Sequence, residues 1–152
     1  MSETRSPLYS GGCQCGAVRY ALFAEPSNPN VCHCRMCQKA FGNYFAPLAG
    51  VPLGDFAWVK GRPGISGAHK PSSAAFVPRA GHPCPYLDRD RISISLGSLD
   101  DPRSIAPARQ YGLEGRLPFL GDLSGLPGSR TEDEVPAEAR ERLKSRQHPD
   151  HP

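Results

Sequence analysis

The sequence predicts a mainly β domain with short helical turns and a candidate C-terminal helix. Gly and Pro, 16 and 17 of the 152 residues, make up more than a fifth of the chain, against roughly 12% in average usage. Proline removes a backbone donor and glycine leaves the chain flexible, so long helices are disfavoured and short strands joined by turns are favoured. Short apolar–polar alternations supply the strands themselves. The length suits one domain with a modest core, and apolar residues make up 38% of the chain.

Residues 1–10 are polar and read as a loose N-terminus. The segment GGCQCGAVRYALF (Gly11 to Phe23) is a glycine-flanked knuckle leading into a strand. Alternation there puts Val18, Tyr20 and Leu22 on a buried face and Ala17, Arg19, Ala21 and Phe23 on the other. AEPSNPN (Ala24 to Asn30) reads as a loop on its Pro and Asn content. RMCQKAF suits one or two helical turns. YFAPLAG and DFAWVKG read as strands, the first placed at a sheet edge by Pro47. Residues 61–73 are rich in Gly, Pro and Ser without periodicity and read as a loop. RISISLGSL (Arg91 to Leu99) is the clearest strand, with Ile92, Ile94 and Leu96 inward and Ser93 and Ser95 outward. SLDDPRSIAP is a turn, and residues 114–128 hold too much Gly and Pro for a long helix. PAEARERLKS (Pro136 to Ser145) has helix-forming residues behind a first-turn proline. No domain boundary precedes residue 128, and residues 129–152 form a polar, charged, partly helical tail.

The formal net charge of +3 comes from 18 basic and 15 acidic residues, too weak and too mixed to indicate a nucleic-acid partner. No stretch of 18 apolar residues occurs, so no membrane span is expected. The start, MSETRSPLYSGG, has no apolar core of a secretory signal. Six cysteines without such a signal predict a reducing, cytoplasmic setting in which disulfides are rare.

Five of those cysteines form two tight motifs, C-x-C at Cys13 and Cys15 and C-x-C-x-x-C at Cys32, Cys34 and Cys37. Such short loops gain little from cross-linking and suit metal binding better. Thiolates bind Zn²⁺ tetrahedrally at about 2.3 Å; structural sites use four protein ligands, and catalytic sites use three and keep one position for water or substrate. Cys32, Cys34 and Cys37 therefore offer a three-sulfur site with an open fourth position. Such a site can polarise a carbonyl or activate an incoming thiol. His33, between two of the ligands, is expected to point away from the metal, and it is the best candidate for a general base.

The motifs GGCQCGAVRY, CHCRMCQKAFG and GSLDDP, in that order, together with the LP pairs near the end, resemble the GFA family, the glutathione-dependent formaldehyde-activating enzymes with a CENP-V/GFA domain. The likeness spans residues 11–128. It implies a small zinc-binding domain of the β-tent type and an activity like that of S-(hydroxymethyl)glutathione synthase, a carbon–sulfur lyase joining glutathione and formaldehyde. It also implies that Cys32, Cys34 and Cys37 form the catalytic zinc site, and that Cys13 and Cys15 pair with a later F-C-x-x-C-G to close a structural one.

The chain departs from the family pattern at that later motif. The matching stretch is FVPRAGHP (Phe76 to Pro83), where Val77 and Ala80 stand at the two cysteine positions. One zinc is thus expected at Cys32, Cys34 and Cys37, and the second lacks two ligands. Three arrangements remain for Cys13 and Cys15: a packed site without metal, completion by His82 and Cys84, or a joint cluster with the other three thiols. The expected partners are a small thiol such as glutathione and a small aldehyde, with Arg35, Lys39 and Arg19 as candidates to orient the thiol's carboxylates. The competing expectation is a non-enzymatic, zinc-stabilised binding module. A thiol-based redox sensor is a third.

Overall fold

The structure, a computed structural model, describes residues 5–66, 73–76, 83–88 and 90–151. A three-stranded antiparallel sheet holds β1 (Tyr9–Gly12), β2 (Arg19–Leu22) and β5 (Phe56–Lys60), in the order β1-β2-β5. A seven-stranded sheet has the order β10-β3-β4-β9-β8-β7-β6. Its strands are β3 (Ser27–Cys32), β4 (Ala46–Pro52), β6 (Gly64–Ser66), β7 (Ser73–Phe76), β8 (Pro83–Asp88), β9 (Arg91–Ser95) and β10 (Arg109–Tyr111). All its pairings are antiparallel except β10 against β3. Helix α1 (Arg35–Phe41) follows β3 directly. The mainly β architecture expected from the composition is therefore present. No helix among the described residues is long and apolar enough to cross a membrane.

The two sheets share one core. Tyr20 and Leu22 come from β2, Ala49 and Val51 from β4, and Ile92 and Ile94 from β9, with Leu96, Leu99 and Ile105 beside them. Tyr20 stacks on Phe56 with ring centroids 5.5 Å apart, and Trp58 closes the group edge-on to both. β9 follows the expected alternation: Ile92, Ile94 and Leu96 are buried, although the strand stops at Ser95 and the chain turns through a 3₁₀ turn at Leu96–Ser98.

Several local expectations are corrected, among them the loose N-terminus expected over residues 1–10, since β1 begins at Tyr9. The Pro/Asn-rich stretch read as a loop, Ala24 to Asn30, runs into β3 from Ser27, because β4 and β10 flank that strand and supply the hydrogen bonds its residues do not themselves favour. The irregularity survives as a register shift between Ser27 and Asn30 and a positive φ of 52° at Asn28. β4 is interior rather than an edge; Pro47 pairs with Val31 of β3, while the ladder to β9 begins only at Leu48. The segment read as a loop from residue 61 contains β6, which pairs with β7. The C-terminal helix is shorter than expected, running as α3 (Ala137–Arg140) and a 3₁₀ turn at Glu141–Leu143 after α2 (Thr131–Glu134).

β2 is buried along its whole length, so alternation does not describe it. The exception to its apolar lining is Arg19. Its guanidinium meets the Asp100 carboxylate through two bonds, Nη1–Oδ1 at 2.8 Å and Nη2–Oδ2 at 2.5 Å, with both side chains close to nine-tenths buried. Ser10 Oγ donates to the same carboxylate at 2.5 Å, and Asp100 N donates to Ser10 O at 3.0 Å. Tyr20 Oη and Ser98 Oγ lie 2.8 Å apart. The GSLDDP turn is thereby bolted onto the β1–β2 hairpin.

Burial opposes ionisation of Asp100, but its bonds to Arg19 and Ser10 outweigh burial and hold the carboxyl below its ordinary value. The stabilisation is therefore complete above the unfolded value of about 3.9 and is lost as pH falls through the lower folded value. Asp100→Ala strands a buried guanidinium and is expected to cost about 3 kcal/mol, the low end for breaking a buried pair. Urea denaturation at pH 7 and again near pH 3 should show the difference from wild type shrinking in acid.

Candidate metal centre

β3 ends at Cys32, whose backbone lies between Ala46 of β4 and Tyr111 of β10. The chain then leaves the extended conformation. Cys34 is the N-cap of α1, with its sulfur accepting from Cys37 N at 3.4 Å, and Gln38 N donates to Cys34 O at 3.0 Å. Helical geometry puts residues three apart on one side, so Cys34 and Cys37 face together while the strand end brings Cys32 to them. All three Sγ atoms lie within 4.8 Å of one another.

A second segment holds this corner in place. His33 N donates to Tyr111 O at 2.9 Å. Gln38, buried, donates from Nε2 to His33 O at 3.0 Å and to Gly115 O at 2.9 Å. Gly112 has φ +69°, and a Cβ there would press on Cys34 N at 3.0 Å, so glycine is required both by conformation and by space. Gln38, Gly112 and Gly115 carry no sequence signal beyond an amide side chain directly after Cys37.

His33 is 2% exposed. Its Nε2 lies 3.0 Å from Gln110 Oε1 of β10 and its ring is edge-on to Phe45; a carboxamide oxygen only accepts, so Nε2 carries the proton. His33 does not join the sulfur group, in keeping with the expectation that it turns away. Its enclosed ring does not suit the general-base role expected of it.

The sulfurs differ in proton affinity. Burial and the two neighbouring thiols push the Cys37 thiol far up, and burial raises Cys32 as well. Burial also opposes ionisation of Cys34, but the N–H groups of Cys37 and Met36 and the adjacent thiols outweigh it and lower its pKa. Cys34 is therefore the first of the three to ionise. The donor set fits a soft or borderline divalent ion. Tetrahedral thiolate ligation with bonds of about 2.3 Å sets sulfurs about 3.8 Å apart, a spacing that sulfurs within 4.8 Å of each other can meet by small rotations. Among the described residues, no fourth His, Cys, Asp or Glu joins the three cysteines.

Cys13 and Cys15 stand apart from that cluster, in the turn between β1 and β2, with their sulfurs 3.3 Å apart. The reading that joins all five thiols is thus not what the structure shows. Cys13 N pairs with Val18 O, and Val18 N donates to Cys13 Sγ at 3.2 Å. Burial raises the Cys13 pKa, but bonds from Val18, Cys15 and Ala17 bring it below the ordinary value. Val77, Ala80 and His82 lie outside the described residues, and Cys84 is placed in β8 by its backbone.

The basic candidates separate. Arg19 is committed to Asp100 and donates to the His151 carbonyl. Arg35 and Lys39 are exposed on α1, Arg35 bonding Gln38 Oε1 at 3.2 Å. A cavity of about 570 Å³ opens beside the Arg19–Asp100 pair and is lined by Cys13, Phe41, Asn43, Ser98 and His148, among others, and by none of Cys32, Cys34 and Cys37.

The fold is similar to that in the crystal structure of a Rhodobacter sphaeroides protein solved as a structural-genomics target. The TM-score is 0.54 at 21% identity, covering 66% of this chain and 98% of that one. Residues 8–112 match the family described as glutathione-dependent formaldehyde-activating enzyme. That match takes in both cysteine motifs and the GSLDDP turn. With its thiols gathered as the motifs anticipate, the chain belongs to the GFA family.

Proposed function

We propose that this protein is a zinc-dependent enzyme that adds a small thiol, such as glutathione, to an aldehyde, such as formaldehyde, in the manner of an S-(hydroxymethyl)glutathione synthase. Family membership supports the reaction class. The observation that carries the proposal is the group of three sulfurs with no fourth protein ligand among the described residues, because three protein ligands and one outside ligand is the pattern of a catalytic zinc. Zinc held by Cys32, Cys34 and Cys37 would supply Lewis-acid polarisation of a carbonyl or a lowered pKa for an incoming thiol.

The addition balances without oxidant or reductant. The thiol sulfur bonds to the carbonyl carbon, the carbonyl π pair moves to oxygen, and the proton lost from sulfur is matched by one gained at oxygen. The chain's own contribution is positional. Gln38 keeps the cysteine corner closed through the His33 and Gly115 carbonyls. Arg35 and Lys39 are the exposed cations closest in sequence to the ligands and suit the two carboxylates of glutathione. Arg19, already paired, is released from that role.

The test is adduct formation between formaldehyde and glutathione, followed by NMR with the zinc-loaded full chain. Acceleration over the uncatalysed rate is expected, with loss of essentially all of it on chelation and in Cys37→Ser. No acceleration, with metal still bound, would leave the zinc-stabilised binding module as the better reading. Cys32→Ser should lose one metal equivalent by elemental analysis. Gln38→Ala, which removes no ligand, should weaken metal affinity on the order of 10-fold, as loss of support behind a ligand loop does, measured by competition with a chromophoric chelator.

A further inference from the structure

Cys13 and Cys15 form a thiol pair that the three-cysteine centre does not use. Their sulfurs lie 3.3 Å apart in the turn between β1 and β2. The two residues are unequal. Cys13 is buried and packs with Val18 and Trp58, whereas Cys15 is exposed. Cys13 is also held by its surroundings. Its N–H donates to Val18 O at 3.1 Å, its carbonyl accepts from Gly16 N at 2.9 Å, and its sulfur accepts from Val18 N at 3.2 Å. Gly16, at φ +69°, turns the chain back toward β2. One sulfur is thus fixed inside the hairpin, and the other belongs to a surface residue in contact with it.

This pair does not complete a metal site. A closed zinc site takes four protein ligands, and Val77 and Ala80, at the two matching family positions, carry no ligand atom. Among the described residues, Cys32, Cys34 and Cys37 are the one set that brings three ligand atoms within 4.8 Å of one another, so no third ligand joins the hairpin sulfurs. The arrangement suits thiol–disulfide exchange instead. Thiols that respond to oxidants are accessible to solvent and stand next to a second thiol that resolves the first product. A disulfide sets its sulfurs about 2.0 Å apart, a short closure from 3.3 Å. The closed loop would hold only Gln14 between the cysteines, so the cross-link adds little stability, and exposed disulfides are the labile, reversible ones.

We propose that Cys13 and Cys15 are a reversible redox pair, oxidised by small disulfides such as glutathione disulfide, at the place where the family pattern has a structural metal. Cys15, as the thiolate, attacks one sulfur of the outside disulfide. That S–S bond breaks, and one glutathione thiolate leaves. Cys13 gives its proton to solvent and attacks Cys15 Sγ. The Cys13–Cys15 bond forms, the mixed disulfide breaks, and the second glutathione leaves with the bonding pair. Two cysteine thiols are oxidised, and one glutathione disulfide is reduced to two glutathiones. Excess glutathione runs the same steps backward. The pair is independent of the reaction proposed for the three-cysteine centre.

The test exposes the zinc-loaded full chain to glutathione disulfide, blocks free thiols with iodoacetamide, and reads the tryptic peptides by mass spectrometry. Cleavage after Arg5 and Arg19 isolates Cys13 and Cys15 on one peptide, apart from Cys32, Cys34 and Cys37. In the wild type this peptide is expected to lose both alkyl groups and carry an internal disulfide, and to regain both groups after excess glutathione. Cys13→Ser should stop at glutathione bound to Cys15, and Cys15→Ser should leave Cys13 free to alkylate. A wild-type peptide that stays alkylated at both cysteines, or that retains glutathione on Cys15, would overturn the proposal. Metal content by elemental analysis should be equal in the wild type and in Cys13→Ser/Cys15→Ser. Loss of a metal equivalent in that double variant would overturn the assignment in favour of a second metal site completed by His82 and Cys84.

Discussion

The functional geometry depends on one corner of the backbone, where β3 ends at Cys32 and α1 begins at Arg35. A strand end and a helix cap do not of themselves hold sulfurs together, because the two residues between are free to turn. Here the turn is held by a segment about eighty residues away in sequence. Tyr111 and Gly115 offer carbonyls, Gln38 ties Gly115 to His33, and Gly112 lets that segment approach Cys34. A buried amide that donates to two carbonyls has its own polar group satisfied and fixes both chain segments at once. The three sulfurs inherit their closeness from that arrangement.

Burial at the corner has a chemical consequence. Enclosed thiols resist ionising, and Cys37 resists most, while backbone N–H groups favour charge on Cys34. A divalent ion held by Cys32, Cys34 and Cys37 would override this order, since coordination deprotonates a thiol outright. The protein's contribution is to gather the sulfurs and to give one of them a head start. His33 serves the scaffold instead, its protonated nitrogen on Gln110 tying the corner to β10.

A second organising contact lies in the Arg19–Asp100 pair, which links the β1–β2 hairpin, the GSLDDP turn and the end of the chain. The pair explains why a basic residue occurs in a strand buried along its length. It also holds the end of the chain against the hairpin, where the His148 ring rests on Gly16. The aromatic group of Tyr20, Phe56 and Trp58 supports the same strand from its apolar side.

The sequence alone determined what depends on neighbouring residues. The C-x-C-x-x-C spacing identified the three-sulfur cluster because helical periodicity places Cys34 and Cys37 together, and the alternation of Ile92, Ile94 and Leu96 identified the inward face of β9 because strand period is a local property. Tertiary structure decided the rest. The Pro/Asn stretch became β3, and Pro47 entered an interior strand, because neighbouring strands supplied the pairing. Arg19 became an internal ion pair because Asp100 was brought to it, and His148 reached the hairpin because Gly16 left room. Propensity and spacing describe sterics over a few residues; strand partners and counter-ions are chosen across the whole chain, by which burial leaves the fewest polar groups unpaired.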